Sequence, residues 1–536
     1  MLTKHLHHFS IILIGLALSC YSYIAIQNGV VTWADPLAGF EAMTHWLKGG
    51  AWNTISYSNI NATMQPAQHY LNWWTPGQYM VPWLFIKLLG VNINIAQVIT
   101  IVLAGDISVI GYYKLMKLLN INTVVIHVMI LLLVFNRTFS WHYLVYFGGE
   151  TLLWAATPWL CYVLIKQFNY SYTYPIIAFM IGIVGVFLKS SFIITYMAIG
   201  VYLFFKTTSS VQQLVQPQRW KPYIAMLASV LCVYVFYLSK GPTPSTTIDT
   251  TMTNDVPNTL LGDLTHPWSS MVTHFLKIAD VLQHFAPKLN ANAIDVAWVF
   301  LPFVCLSIVL CIYFFKKRTE QPVYLLAVTV YVVTASIFTF YYLQNKAVSY
   351  ETRHYYFVGN IAGMAILQLL HTYYKRIFVV LISILLLLSA VDFIRFFNRL
   401  QQIEKEYTWF HNLKIERSIV PSMHFINVFI AKDSTINVHC DATYTRALFK
   451  QKCKLVCIAK HHTSKVLSQN MYIALDDSIR INLPIKCIDK TTLIVYTGAL
   501  KNSSLSEIKM RYATPQQYVS YYHTTLNYTI AIVRRY

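Results

Sequence analysis

Apolar stretches alternate with short polar connections through the first three quarters of the chain. A membrane-spanning helix needs roughly 20 predominantly apolar residues, and such segments without Asp, Glu, Lys or Arg recur here, among them 9–34 and 321–345. The alternation predicts an all-α polytopic membrane bundle of about 11 spans. We place the spans at 9–27, 93–113, 120–136, 150–168, 174–189, 191–206, 222–239, 296–315, 321–341, 355–372 and 377–397.

Basic residues orient this bundle, because Lys and Arg are held in cytoplasmic loops. With the N-terminus inside, the inner connections carry basic groups such as Lys114, Lys166 and 316–318, and the outer connections are poorer in them. We interpret the first span as an uncleaved anchor, since it shows no small-residue cleavage site. We therefore expect a multi-pass protein of the plasma (inner) membrane, with long outer loops at 28–92 and 240–295.

Beyond residue 400 the pattern changes to short β-type runs, such as Thr435–His439, Lys454–Ala459 and Thr492–Thr497. Short apolar runs bounded by turn signals are typical of strands. An odd number of spans puts this part outside. The sequence therefore predicts a transmembrane domain at 1–399 and a C-terminal, mainly β, extracytoplasmic domain at 400–536.

Four of the nine cysteines fall in this tail. An even number of cysteines in an exported domain favours one or two disulfides, with three possible connectivities if both form. Zinc is the alternative, because His439, His461 and His462 lie near three of these cysteines in the sequence. The tail cysteines are Cys440, Cys453, Cys457 and Cys487.

Composition narrows the classes of partner. The net charge is +20 and the mean hydropathy is +0.47. The basic residues bracket the spans, where they can meet anionic headgroups, so we expect membrane lipids and no nucleic acid as partners. The chain has no Walker-type phosphate loop, dinucleotide glycine fingerprint or His-Glu-x-x-His motif. A soluble nucleotide donor has no obvious site here, whereas a lipid-linked donor needs only a hydrophobic flank and cations for its phosphate.

Two carboxylates on the outer side are candidates for chemistry. Asp35 follows the first span and precedes Pro36, an arrangement that also starts a helix. As a catalytic group, Asp35 would be a general base at the membrane surface. Glu150 opens the fourth span, where the helix dipole favours an acid. Burying a carboxylate near the hydrocarbon boundary is nevertheless costly, and such residues mark functional sites.

Basic groups on the same side are candidates for binding phosphate. Lys189 lies between two apolar stretches and is followed by Ser190 and Ser191. Its structural alternative is an anchor whose charged end reaches toward water. Arg353, within the polar and aromatic segment 350–356, could clamp a phosphate through two parallel donors. Its alternative is an interface anchor of aromatic and charged residues.

Asp106 lies inside the second span and leaves a different hypothesis open. It either pairs with a buried partner such as His127 or faces a water-filled cavity. The second case would suit a transporter or a flippase of lipid-linked glycans, which is expected to show inverted repeats and charges at mid-membrane. No repeat is visible in the sequence, and the charges cluster at one face. A non-catalytic component of surface-glycan assembly is a further alternative.

In their order and common sidedness, these motifs resemble the glycosyltransferase-C (GT-C) superfamily over about residues 9–400. Its members, such as the protein mannosyltransferases and the lipid A aminoarabinose transferases, are polytopic enzymes that move a sugar from a polyprenyl phosphate carrier. The matching elements are an early acid in the first outer loop (Asp35), a Pro-rich stretch from Thr75 to Leu-Gly at 89–90, a second outer acid (Glu150), a Lys before small residues (Lys189) and an outer Arg-His-Tyr element at 353–355.

The chain departs from the family pattern in its first loop. Many relatives have paired acids there, whereas Asp35 is followed by Pro36 and the next acid is Glu41. Metal dependence varies in the superfamily, so this departure leaves a divalent metal undecided as a cofactor.

The resemblance implies an integral membrane glycosyltransferase, a hexosyl- or pentosyltransferase. It would move a sugar from a polyprenyl-phosphate carrier to a lipid, protein or glycan acceptor on the outer face. Asp35 would deprotonate the acceptor and Glu150 would position hydroxyls, while the loop 240–295 would cover the site. The donor phosphate would meet Lys189, Arg353 and His354, and the residues expected to position substrate are Glu41, Tyr79, Glu351 and Tyr355.

Overall fold

The computed structural model describes most of the first 410 residues and scattered strands beyond them. The described ranges are 2–47, 49–58, 66–71, 75–169, 171–208, 216–237, 256–278, 293–344, 354–410, 413–416, 437–440, 454–457, 492–497, 505–506, 509, 517–524 and 528–535.

Each of the eleven predicted spans coincides with a helix in the described ranges. The helices are α1 Leu2–Asn28, α2 Ala34–Leu47, α3 Gly77–Leu89, α4 Ile93–Leu118, α5 Thr123–Val134, α6 Arg137–Trp141, α7 Gly149–Lys166, α8 Thr173–Leu188, α9 Phe192–Thr207, α10 Pro217–Phe236, α11 Val256–Thr273, α12 Ala293–Lys316, α13 Pro322–Leu343, α14 Tyr356–Tyr373 and α15 Lys375–Glu406.

Length and apolarity single out some of these helices as membrane spans. Among the described residues, five helices are long and apolar enough to cross a bilayer: α1, α4, α12, α13 and α15. Three shorter apolar helices, α5, α8 and α9, lie between them in the chain. By these helices the chain is an integral membrane protein.

Local sequence explains where several helices begin and end. The side chain of Asn92 accepts a hydrogen bond from the amide of Ile95 at the start of α4, and Asn122 caps α5 in the same way through Val124. Such caps satisfy backbone donors that a helix leaves unpaired. After α3, Gly90 adopts the left-handed conformation (φ 67°) that ends a helix, as the Leu-Gly pair suggests.

A small sheet lies at one end of the bundle and joins distant parts of the chain. Its order is β4-β1-β6-β5, formed by β4 Val145–Tyr146, β1 Val31–Thr32, β6 Leu413–Glu416 and β5 Tyr407–Phe410. β1 pairs in parallel with both β4 and β6. The connections after α1, after α6 and after α15 therefore meet at this sheet.

The segment 240–295, predicted as an outer loop, contains a helix that packs into the bundle. Helix α11 contacts α12, α13 and α14. Ring contact between His266 and Phe300 and a hydrogen bond from Ser307 Oγ to the carbonyl of Ser269 show that α11 and α12 run in the same direction. After α11, Lys277 forms a buried ion pair with Asp392 of α15 at 2.7 Å. The described part of this loop is thus held among the spans.

The described part of the C-terminal tail consists mainly of strands, with helical residues at 505–506 and 509. A five-stranded sheet consists, in order, of β10 Gln517–Thr524, β11 Tyr528–Arg535, β9 Thr492–Thr497, β7 Asn437–Cys440 and β8 Lys454–Cys457. A separate hairpin of β2 Thr54–Ser58 and β3 Pro66–Tyr70 belongs to the predicted first outer loop. Helix α15 continues to Glu406, past the predicted start of the tail.

The register of that sheet bears on the tail cysteines. Cys440 and Cys457 are partners across the parallel pair β7–β8. Cys453, Cys487, His461 and His462 lie outside the described residues. The disulfide connectivity and the zinc alternative both stay predictions.

The pairing of Asp106 with His127 was wrong. His127 is buried, and its Nδ1 lies 3.0 Å from the hydroxyl of Ser10 on α1. Asp106 instead lies on the exposed side of α4. The two residues are on neighbouring helices, but they face different surroundings.

Candidate active site

The small sheet brings the first two sequence motifs together. The amide of Trp33 donates a hydrogen bond to the carbonyl of Tyr146 at 3.0 Å, so the strand before Asp35 lies beside the strand before Glu150. The space that a Cβ on Gly148 would occupy is 3.1 Å from the Pro36 side chain. The backbone of Asp35 is therefore adjacent to the turn that leads into Glu150.

The Pro-Gly-Gln motif at 76–78 packs against the turn that leads into Glu150. The backbone carbonyl of Gln78 accepts a hydrogen bond from the hydroxyl of Tyr146, and its side-chain oxygen accepts one from the amide of Gly149 at 3.4 Å. Gly77 lies so close to the end of α8 that a Cβ there would sit 2.6 Å from the carbonyl of Phe187. The segments before Glu150 and before Lys189 are thus held against one corner.

A cavity opens beside this corner, and three predicted site residues line it. Its empty space, which includes solvent at its open mouth, is about 800 Å³. Its walls combine aromatic, hydroxyl-bearing and charged side chains. The lining residues are Tyr112, Thr138, His142, Glu150, Leu153, Trp154, Thr157, Lys189, Ser191, Ile194, Thr195, Thr334, Phe338, His354, Tyr356, Phe357 and Val358.

An ion pair between Lys189 and Glu150 forms the charged part of the wall. Their side chains are only 18% and 11% exposed. Lys189 is extended backbone just after α8, and Glu150 is in the first turn of α7. The side chain of Lys189 passes over Gly149, where an added Cβ would lie 2.9 Å from its Cδ. A residue without a side chain at 149 leaves room for this pair.

His142 lies next to the ion pair, and sequence reasoning did not identify it. Its Nδ1 is 2.8 Å from the Thr151 hydroxyl, and its ring stacks on Trp154 with centroids 5.1 Å apart. Burial lowers the pKa of His142 to about 4; the charge of Glu150 raises the pKa, and that of Lys189 lowers it. The imidazole is therefore neutral at neutral pH. A lone histidine in an aromatic segment gave no signal that distinguished it from a packing residue.

The other predicted residues are distributed as follows. The side chains of Asp35 and Glu41 are not described, although their backbone belongs to α2. Tyr79 is fully buried and donates to the side-chain oxygen of Asn53, so it packs within the first outer loop instead of lining the cavity. Tyr355 is also fully buried, behind the cavity wall against Phe338. Glu351 and Arg353 lie outside the described residues.

Ser191, one of the two hydroxyl residues noted after Lys189, lines the cavity, but its threonine hydroxyls were not predicted. Thr138, Thr157, Thr195 and Thr334 come from four different helices or turns. Threonines are common inside spans, where they bond to their own helix, and only the packing of α7, α9 and α13 brings these side chains to one space. The spacing of these threonines in the sequence does not indicate that they are close together in the fold.

A metal site has no complete set of ligands in the described part of the chain. No group of three or more His, Cys, Asp or Glu side chains there is arranged to hold a metal ion. Asp35 falls outside that comparison because its side chain is not described. A divalent metal thus stays undecided.

The wall chemistry suits a ligand that is both sugar-like and anionic. Aromatic faces such as Trp154 pack on apolar ring surfaces, and threonine hydroxyls donate to and accept from hydroxyl groups. Lys189 offers a point charge to a phosphate, and Glu150 an acceptor for hydroxyl donors.

Comparisons with known proteins assign no family. No protein-family model matches the chain, and no curated protein does. One solved structure that it resembles is the crystal structure of ArnT from Cupriavidus metallidurans bound to undecaprenyl phosphate. The two share 10% sequence identity with a TM-score of 0.46, and the alignment covers 97% of each chain. At that distance the likeness assigns neither a family nor an activity to this chain.

Proposed function

We propose that this chain is an integral membrane glycosyltransferase that moves a sugar from a polyprenyl-phosphate carrier to an acceptor at the outer face of the membrane. The observation that carries the proposal is the cavity that Glu150, Lys189 and His354 line together. The resemblance of the motifs to the GT-C superfamily supplies the donor class.

The proposed reaction is a direct displacement at the anomeric carbon. An acceptor oxygen attacks that carbon and loses its proton to Asp35, while the bond to the carrier phosphate oxygen breaks. The polyprenyl phosphate leaves with the electron pair. A phosphate needs little help from a general acid, so cations at Lys189 and Arg353 stabilise it through their charge.

The ion pair gives Glu150 two states in this scheme. Without donor, its carboxylate is held by Lys189. An arriving phosphate competes for the same ammonium, because both ligands are anionic oxygens within one small space. Glu150 is then released to accept hydrogen bonds from the sugar. Donor binding thus prepares the group that positions the sugar.

Because His142 is neutral, it does not interfere when the donor phosphate replaces Glu150 at Lys189. One carboxylate and one ammonium face each other beside it, so an uncharged imidazole adds no second cation to compete for the carboxylate. Its contact with Thr151 holds it against the first turn of α7.

The test is release of polyprenyl phosphate from a panel of polyprenyl-phosphate-linked hexoses and pentoses by the purified full chain, followed by mass spectrometry. We expect release from at least one donor. Asp35→Asn should lower the rate by at least about a hundredfold, the usual contribution of a general base. The variant should keep its place in the membrane and its melting temperature.

A matched carboxylate outside the cavity provides the control. Glu320 lies on an exposed connection, where it pairs with Lys317. Glu320→Gln should retain full activity, whereas Glu150→Gln should reduce it. Full activity of Asp35→Asn would remove Asp35 as the base. No release from any donor by folded protein would contradict the proposed function itself.

A further inference from the structure

A carboxylate lies in the middle of a span, on the outside of the bundle. Helix α4 has 26 residues, and at a rise of about 1.5 Å per residue Asp106 lies roughly 20 Å from either end. Asp106 is exposed on the surface that a bilayer would cover. An ionisable group facing hydrocarbon is costly, so such residues normally face a partner or water.

The neighbours of Asp106 on this surface are apolar. Leu103, Ile107 and Ile110 are 43%, 44% and 50% exposed. With Asp106 they form one stripe at helical spacing, which we call the Asp106 stripe. Within the parts of the chain that the structure describes, no hydrogen bond or ion pair reaches this carboxylate. His127, the partner suggested from the sequence, is hydrogen-bonded to Ser10 instead.

We propose that the Asp106 stripe binds a transmembrane helix of a different membrane protein, one that carries a Lys or Arg at mid-membrane. The spacing of the four residues is that of a helix-packing face. A basic group at the same depth would form an ion pair with the Asp106 carboxylate. The apolar residues on both sides would exclude competing water. A polar contact between helices in a membrane contributes enough to select such a partner.

Charge also argues against a second copy of this chain as the partner. Symmetric contact would bring two Asp106 carboxylates together, and like charges repel. In the described ranges, basic residues flank the apolar runs, as Lys114 and Lys117 do on α4. Lys189 and Lys277 are already paired with acids of this chain, and Arg395, inside the last predicted span, lies 3.8 Å from Asp392.

The stripe is separate from the candidate active site. Tyr112 of the same helix lines the cavity from the buried side of α4, where its hydroxyl accepts from Asn360 at 3.1 Å. Binding at the exposed side therefore leaves the cavity wall in place. The inference does not depend on the proposed function.

The test uses the full chain reconstituted in phosphatidylcholine vesicles with a synthetic leucine-rich transmembrane peptide of about 20 residues. The peptide carries a photoreactive group and one central Lys. We expect a yield of crosslinked product roughly fivefold to thirtyfold above that of the same peptide with a central Leu, the change that one interhelical polar contact supports. Asp106→Leu should abolish the difference, and a peptide with its Lys near one end should behave like the Leu peptide.

A charge-reversal variant distinguishes lost binding from lost folding, because it is expected to gain binding to a different peptide. Asp106→Lys should capture a peptide with a central Glu and release the Lys peptide. Equal capture of the Lys and Leu peptides by the unchanged chain would overturn the proposal. So would a dimer of this chain, seen by native mass spectrometry, that Asp106→Leu dissociates.

Discussion

At the residue scale, the charge balance of the cavity depends on three neighbouring side chains. Glu150 and Lys189 cancel each other, and His142 beside them is neutral at neutral pH because burial lowers its pKa to about 4. Protonating His142 would put a second cation next to Lys189. The carboxylate would then be shared between two cations.

The pH dependence of stability follows from this shift. The folded-state pKa of His142 lies below the 6.5 of an exposed histidine, so the unfolded chain takes up a proton first as the pH falls. Its contribution to stability is complete above pH 6.5 and is lost toward pH 4, at up to about 1.4 kcal/mol per pH unit. We expect the melting temperature of detergent-solubilised protein to fall more steeply between pH 7 and 5 than that of His142→Gln. Parallel curves would show that His142 titrates normally.

At the element scale, the site is built by helix ends that fit closely against one another. The corner at 76–78 touches the end of α8 and the turn before α7 through residues without bulky side chains. Gly77 faces backbone, namely the carbonyl of Phe187, whereas Gly149 faces the side chain of Lys189. The same substitution at the two positions should therefore have different consequences.

We expect Gly77→Ala to lower the melting temperature, because backbone on both sides has to move. Overpacking of this kind costs about 1–3 kcal/mol. Gly149→Ala should change stability less, since the Lys189 side chain can move aside, but it should weaken the ion pair and lower the rate of polyprenyl phosphate release. Gly15→Ala is the control, because nothing lies within 4 Å of the added Cβ. Similar losses of stability for Gly77→Ala and Gly149→Ala would contradict this distinction.

The sequence predicted the helices because each carries its own signal. Apolar runs, Asn caps and flanking lysines all act within one segment, as Asn92 and Lys117 do for α4. Helix α11 has no such signal: its composition is mixed, and it is held by Trp268 and Ser269 against other helices. The strand Val31–Thr32 is likewise only two residues long and exists through its pairing with Val145–Tyr146. Elements that depend on distant partners leave no local pattern.

At the scale of the whole molecule, sidedness was the useful signal for the site. Lys and Arg placement put Glu150, Lys189 and His354 on one side of the predicted membrane, and the structure brings these three to one cavity. Sidedness limits depth but not lateral position, so it did not separate lining residues from Tyr79 and Tyr355, which are buried nearby. His142 is recognised as a site residue only in the structure, where the turn after α6 packs against α7.

The same topology predicts on which side of the membrane each connection lies. Seven predicted spans separate Gly49 from Thr319, an odd number, so the two should be on opposite sides; three more lie between Thr319 and the tail. Helix α11 is not one of the predicted spans and does not enter this count.

Protease recognition sites inserted after Gly49 and after Thr319, both exposed, test this arrangement. In right-side-out vesicles we expect cleavage after Gly49 and not after Thr319, with the reverse in inverted vesicles. A site added after the C-terminal residue should behave like the one after Gly49. The chain without any inserted site is the control for cleavage at its own residues. Cleavage of both inserted sites from one side would mean that an even number of crossings separates them. The arrangement predicted from Lys and Arg placement would then be wrong between those two insertion points.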